Sequence, residues 1–251
     1  MLELQQVSKH FGGFTAVDDV SFSIPSGSIA GLIGPNGAGK TTLFNLIAGQ
    51  LDADQGRIFL GGKPIHHLPP HRVFNAGLAR TFQIPRPFPQ MTVLENVMTV
   101  PAKQSGERFW NNWFLPGKVS REEQSLRESV EEVLEFCGLS SVRGDPASSL
   151  SGGQLKLLEL ARVLMADPQI ILLDEPAAGV NPSLMTSLID RIIALNERGY
   201  TFLIIEHNMD IVMSVCDPVV VMAQGSVIYQ GTAAGARISR PVLDAYLGDL
   251  A

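Results

Sequence analysis

Residues 28–42 read SIAGLIGPNGAGKTT. A continuous apolar run ends in a glycine loop, and TTLFNLIAG (41–49) continues with the apolar spacing of a helix. Gly34-Pro35-Asn36-Gly37-Ala38-Gly39-Lys40-Thr41 satisfies GxxxxGK[ST] in full, and Thr42 follows it. In a strand–loop–helix frame the glycines let backbone N–H groups close around phosphates. Lys40 neutralises β/γ charge, and the Thr41 hydroxyl can ligate Mg²⁺. Without the flanking strand and helix, the same residues would be a glycine turn with a surface lysine. The stretch therefore predicts an α/β fold with a parallel core.

The chain has 251 residues, enough for one large domain or one domain with a substantial insertion. Hydrophobic residues make up 45% and charged residues 18%, which excludes a disordered chain. A formal net charge of −6 argues against a nucleic-acid partner, whose binder would carry a basic footprint. Cys137 and Cys216 form no CxxC and no His/Cys cluster, so a reduced compartment and no structural metal are expected. The start, MLELQQVSKHF, lacks the basic and apolar regions of a signal peptide. IILL (170–173) and VVVMA (219–223) are far below spanning length, so a cytosolic chain that does not cross a membrane is expected.

VSFSI (20–24) alternates as a half-buried strand, and RIFLGGKPI (57–65) places a Gly-Gly turn between short strands. FQIPRPFPQ (82–90) is too rich in proline for regular structure, and Thr92 to Leu139 reads mostly helical. In SVEEVLEFCGL, Val130, Val133, Leu134 and Cys137 share one helical face, and Gly138 suits a stop. From residue 151 onward a helix, IILLD, a helix over about 183–197 and TFLIIE alternate, and PVVVMA and SVIYQG complete the sheet. The expected organisation is one domain over 1–251, with a catalytic core and β subdomain in 1–83 and 151–251 and a helical subdomain in roughly 84–150. No internal repeat or low-complexity tract is present.

Asp174 and Glu175 end the buried run IILLDE (170–175). Asp174 stands where a metal on the phosphate loop would need an acidic partner, and Glu175, one residue on, could polarise an attacking water. Gln83 in ARTFQ offers an amide oxygen to metal or water, and His207 in LIIEHNMD could bond a γ-phosphate. Phe11 could stack on an adenine face. Residues 150–154 read LSGGQ and run into the helical stretch LKLLELARVLM. That junction is a second natural anion site, so the chain carries two for one ATP-sized ligand.

Together these pieces resemble the ATP-binding cassette (ABC) family of transport ATPases over essentially the whole chain. The family's A-loop aromatic stands here as Phe11, Walker A as GPNGAGKTT, the Q-loop as Gln83 and the signature as LSGGQ. Walker B is IILLDE, the D-loop AAGVNP (177–182) and the switch histidine His207. The resemblance implies a P-loop NTPase core with a mostly parallel sheet, an N-terminal antiparallel β subdomain and an inserted α-helical subdomain. It implies ATP and Mg²⁺ as ligands, with Thr41, Gln83 and Asp174 toward the metal. Glu175 would be the general base, with His207 and Gln83 completing the catalytic set. Two cassettes would pack head to tail, so Ser151, Gly152, Gly153 and Gln154 would clasp a nucleotide held by the other chain. Leu155-Lys156 stands where many members have Gln-Arg, and Val180-Asn181 where Leu-Asp is common.

ARTFQIPRPFPQMTVLENV (79–97), DEPAAGVNP and GTAAGARISRPVLDAYLGDL (231–250) are similar to ATPase subunits of the branched-chain amino acid, or hydrophobic amino acid uptake, importers. Other members of that group carry other solutes, such as urea. The implied partners are a second cassette (a different chain or a second copy), two integral membrane permeases and, indirectly, a periplasmic or extracellular solute-binding protein. The implied place is the cytoplasmic face of the bacterial inner membrane. Ile84-Pro85-Arg86-Pro87-Phe88 is the candidate permease contact strip. Phe109, Trp110, Trp113 and Phe114 either anchor an interface or pack an insertion helix on its own subdomain. A P-loop kinase would not account for LSGGQ, and a soluble cassette acting on ribosomes or DNA fits poorly with the net charge of −6.

Overall fold

The alternation in the N-terminal third becomes an antiparallel sheet in the computed structural model, which describes residues 1–81, 86–101 and 116–247. Its strands are β1 (Leu2–Phe11), β2 (Phe14–Ile24), β4 (Gln55–Leu60) and β5 (Lys63–Pro64), in the order β2-β1-β4-β5. In β2, Val20, Phe22 and Ile24 are buried while Ser21 and Ser23 face out, the period-two pattern of a sheet with one covered face. Register pairs Leu4 with Phe22 on one side and with Ile58 on the other.

The second sheet holds β3 (Ile29–Ile33), β6 (Leu78–Arg80), β7 (Ile170–Asp174), β8 (Thr201–Ile205), β9 (Val219–Ala223) and β10 (Ser226–Gly231). Their order is β10-β9-β3-β8-β7-β6, parallel throughout except for β10. The α/β class and mostly parallel sheet expected from the sequence are thus observed. Every residue of β3, β7 and β8 is buried, which is why these strands read as unbroken apolar runs. Leu32 pairs with Ile205, and Ile205 with Asp174, so the C-terminal ends of β3, β8 and β7 lie level.

The chain divides into two compact units. The first comprises Met1–Gln83, Pro168–Ala178 and Ile192–Ala251, and holds both sheets. Its core joins Leu2, Ile24 and Ile58 of one sheet to Leu32, Leu172 and Leu203 of the other, with Phe44 of helix α1 (Lys40–Ile47) among them. Helix α2 (Pro70–Asn75) belongs to the same unit.

The second unit comprises Ile84–Asp167 and Gly179–Arg191. It contains α3 (Val93–Met98), α4 (Pro116–Phe136) and α5 (Gly152–Leu164). Thr92 and Glu95 close a capping box on α3. The fully buried Asn96 side chain bonds the main chain of Phe88, Met91 and Thr92, so it orders part of the proline-rich approach. Of the four residues that helical spacing places on one face, Val130, Leu134 and Cys137 are buried and Val133 is half-buried.

Further along, α6 (Pro182–Glu197) is followed by α7 (Met209–Val215), α8 (Ala233–Ile238) and α9 (Arg240–Leu247). Among the described residues no helix is long and apolar enough to cross a membrane. Cys137 and Cys216 are free and buried, and burial pushes both thiols up to about 12, which leaves them poor nucleophiles.

Phe202 on the central β8 is among the largest side chains with no exposure. Phe202→Ala should cost about 3–5 kcal/mol in urea unfolding, because a packed sheet collapses poorly around the missing ring.

Candidate functional site

At the end of β3 the chain enters the glycine loop, and two glycines there are required by space. A Cβ on Gly34 would lie 2.1 Å from the Met222 carbonyl oxygen, and one on Gly39 2.3 Å from that of Ala16. Gly39 also has a φ of +96°, in the left-handed region, at the cap position of α1. Lys40 opens α1 and is 6% exposed. Its ammonium donates to the carbonyls of Gly34 (2.7 Å) and Pro35 (2.8 Å), so the side chain folds over its own loop. Burial lowers the Lys40 pKa below that of an ordinary lysine, while the Glu175 and Asp174 charges oppose the shift. A cavity of about 280 Å³ opens over this loop, lined by Asn36 to Thr42 together with Phe14, Ala16, Glu175 and His207.

Glu175 follows the last residue of β7, and His207 lies two residues beyond the end of β8. His207 Nε2 and Glu175 Oε1 are 2.8 Å apart. Glu175 has a φ of 49°, an uncommon conformation for a residue with a side chain. Its N–H donates to the Ile205 carbonyl, and its own carbonyl accepts from Ala178, both at 3.0 Å. The parallel pairing of β7 and β8 brings these two residues, distant in sequence, to one cavity wall.

Asp174 is buried, and its Oδ2 accepts from Arg80 Nη2 at 2.8 Å. Arg80 Nη1 donates to Asn45 Oδ1 (2.6 Å) and Gln50 Oε1 (3.2 Å), and the guanidinium sits 5.6 Å from the Phe44 ring centre. Arg80 thus ties the carboxylate at the end of β7 to the helix that follows the glycine loop. Sequence reading passed over it. The available signal was an arginine three residues before Gln83, in a chain whose buried Asp174 requires a counter-charge.

Phe14 is a second residue that sequence reading missed. Phe11 and Phe14 pair across the Gly12-Gly13 turn, and Phe14 is the one on the cavity wall. Phe11 lies against Lys9, whose Nζ is 5.6 Å from its ring centre. Gln83 lies outside the described residues, as do Ile84 and Pro85 of the contact strip and the cluster of Phe109, Trp110, Trp113 and Phe114.

In the second unit, LSGGQ opens α5 with a local bonding pattern of its own. Gln154 N–H donates to Ser151 Oγ, and Ser151 N–H donates to Gln154 Oε1 at 2.9 Å, a capping box. Gly153 is buried, and a Cβ there would meet Leu184. Gly152 is exposed with open space around it. Asn181 caps α6 by accepting the Leu184 N–H at 2.9 Å.

Arg80→Met leaves Asp174 buried without its partner and should destabilise the protein by roughly 3–5 kcal/mol in urea unfolding. The double variant Arg80→Met/Asp174→Leu should recover most of that loss, because an apolar pair carries no desolvation penalty.

The ABC transporter family model matches residues 17–178. The chain is 43% identical to a probable branched-chain amino acid transport ATP-binding protein LivG of Archaeoglobus fulgidus, covering 99% of this chain and 95% of the relative. It is 38% identical to the high-affinity branched-chain amino acid transport ATP-binding protein BraF of Pseudomonas aeruginosa, covering 99% and 98%. Among solved structures it is similar to the ADP conformation of MJ1267, an ATP-binding cassette of an ABC transporter, with a TM-score of 0.83, 38% identity and coverage of 99% and 98%. Family match, full-length relatives and fold agree: the chain belongs to the ABC transporter family.

Proposed function

We propose that this chain is the ATP-hydrolysing subunit of an importer for branched-chain or other hydrophobic amino acids. The observation that carries the reading is the single cavity on which the phosphate loop, Glu175 and His207 converge. The loop N–H groups and the Lys40 ammonium bind the β/γ-phosphates, and Phe11 and Phe14 offer aromatic faces to the base. Glu175 orients a water for in-line attack on the γ-phosphorus and accepts its proton. ADP then leaves with its charge held by the loop. His207 Nε2 can bond either Glu175 or a phosphate oxygen, which links arrival of the γ-phosphate to release of the Glu175 carboxylate.

The oxygen donors near the loop suit Mg²⁺. Thr41 lines the cavity with a hydroxyl, and Asp174 holds one carboxylate oxygen, Oδ1, outside its bond to Arg80. Among the described residues no group of three His, Cys, Asp or Glu gathers, consistent with a metal that draws most of its remaining ligands from phosphates and water. Thr41 and Asp174, with Gln83 as a further candidate, would hold Mg²⁺. When bound it neutralises charge that develops on the phosphates.

A second cassette, either another subunit or a second copy, would complete the site through its own Ser151, Gly152, Gly153 and Gln154. Two membrane permeases and a solute-binding protein are the remaining partners, and the place is the cytoplasmic face of the bacterial inner membrane. The names of the LivG and BraF relatives support branched-chain amino acids as cargo. Uptake of leucine, other neutral amino acids and urea in a deletion strain tests the cargo. Loss of urea uptake alone would overturn the amino-acid reading.

Glu175→Gln should bind ATP as the parent does and lower turnover by about a hundredfold or more in a phosphate-release assay. A parental rate would remove Glu175 from catalysis. Gly152 separates the signature's local and cross-chain roles better than Ser151, which also caps α5. Gly152→Asp should leave stability within ~1 kcal/mol of the parent, because an acid suits a helix N-terminus. It should also leave ATP binding by the single chain unchanged while abolishing steady-state hydrolysis, since its charge would face the other chain's phosphates. Weaker ATP binding by the isolated chain would contradict the cross-chain arrangement.

A further inference from the structure

Glu206 follows β8 directly, is only 4% exposed, and has no part in the mechanism above. A carboxylate removed from water requires bonds that replace its hydration. Here the replacements are main-chain donors from two turns. Oε1 accepts the Ala177 N–H at 2.9 Å, and Oε2 accepts the N–H groups of His207 (3.1 Å) and Asn208 (3.4 Å). Ala177 lies two residues beyond Glu175, in the turn that Glu175 enters with its left-handed φ of 49°. A strained residue persists only where its surroundings over-determine it. The Glu175 N–H is already tied to Ile205, and Glu206 holds the opposite side of the same turn.

We propose that Glu206 is a positioning residue that clamps the Glu175 turn to the His207 turn and so sets the 2.8 Å approach of their side chains. The clamp is distinct from ordinary capping of α7. Asn208 already serves that helix start, with its side-chain oxygen accepting from Asp210 at 3.0 Å and Ile211 at 3.4 Å. What Glu206 adds is the connection to Ala177, across 29 residues of sequence. Because one carboxylate oxygen serves each turn, an uncharged isostere cannot replace it fully: an amide nitrogen does not accept an N–H.

The inference rests on the catalytic reading of Glu175, and the experiment separates the two. In the full-length chain, Glu206→Gln should lower kcat by roughly tenfold to a hundredfold, the cost of a small misplacement of reacting groups, with KM for ATP within about twofold of the parent. Amide hydrogen exchange at Ala177, His207 and Asn208 should quicken, with β7 and β8 protected as before. Glu206→Asp keeps both acceptors on a shorter arm and should restore part of kcat; it also carries the test if the amide variant fails to fold. Parental kcat in Glu206→Gln, or unchanged exchange at Ala177, overturns the clamp. So does a loss of protection throughout β7 and β8, which would mark a general structural role. Glu175→Gln is the control. If it hydrolyses ATP at the parental rate, the catalytic reading falls, while exchange at Ala177 still reports on Glu206.

Discussion

The arrangement of the cavity depends on the parallel register of β3, β8 and β7. Leu32, Ile205 and Asp174 stand side by side, so the chain leaves three adjacent strands at one level. From those exits come the glycine loop, the Glu206–His207 turn and the Asp174–Glu175 turn. In parallel α/β sheets, ligands bind outside the carboxyl ends of the strands, where loops from neighbouring strands can converge. A slip of one residue in this ladder would point alternate side chains to the other face and separate Glu175 from His207.

Charge is handled at this edge by several different devices, each fitted to its degree of burial. The Lys40 ammonium is held by two carbonyls of its own loop and by the field of two carboxylates. Asp174 has a guanidinium partner in Arg80, and among the described residues Glu206 is held by backbone N–H groups. Glu175 and His207 are the more exposed pair and bond to each other across the cavity wall. The Glu175–His207 pair is thus left nearest solvent, while Lys40, Asp174 and Glu206 are buried beneath it.

Much of this was legible in the chain. GPNGAGKTT in a strand–helix frame, IILLDE and LSGGQ are local patterns, because backbone geometry around phosphate and helix capping act over a few residues. Arg80, Glu206 and Phe14 were not legible. Asn45 is 35 residues from Arg80, Asp174 is 94, and Ala177 is 29 from Glu206. Taken alone, each of these residues is an ordinary polar or aromatic side chain near the end of a strand. LSGGQ also gained a second meaning: Ser151 and Gln154 bond each other to start α5, so the motif has a local folding role beside the cross-chain one proposed for it.

The class of fold, the glycine loop and the family could be read directly from the chain, since glycine placement, apolar periodicity and motif order are properties of contiguous residues. Which charges are paired, which aromatic lines the cavity and how close Glu175 comes to His207 emerged from the folded chain. Those outcomes are set by sheet register and burial, which bring residues together irrespective of their distance along the chain.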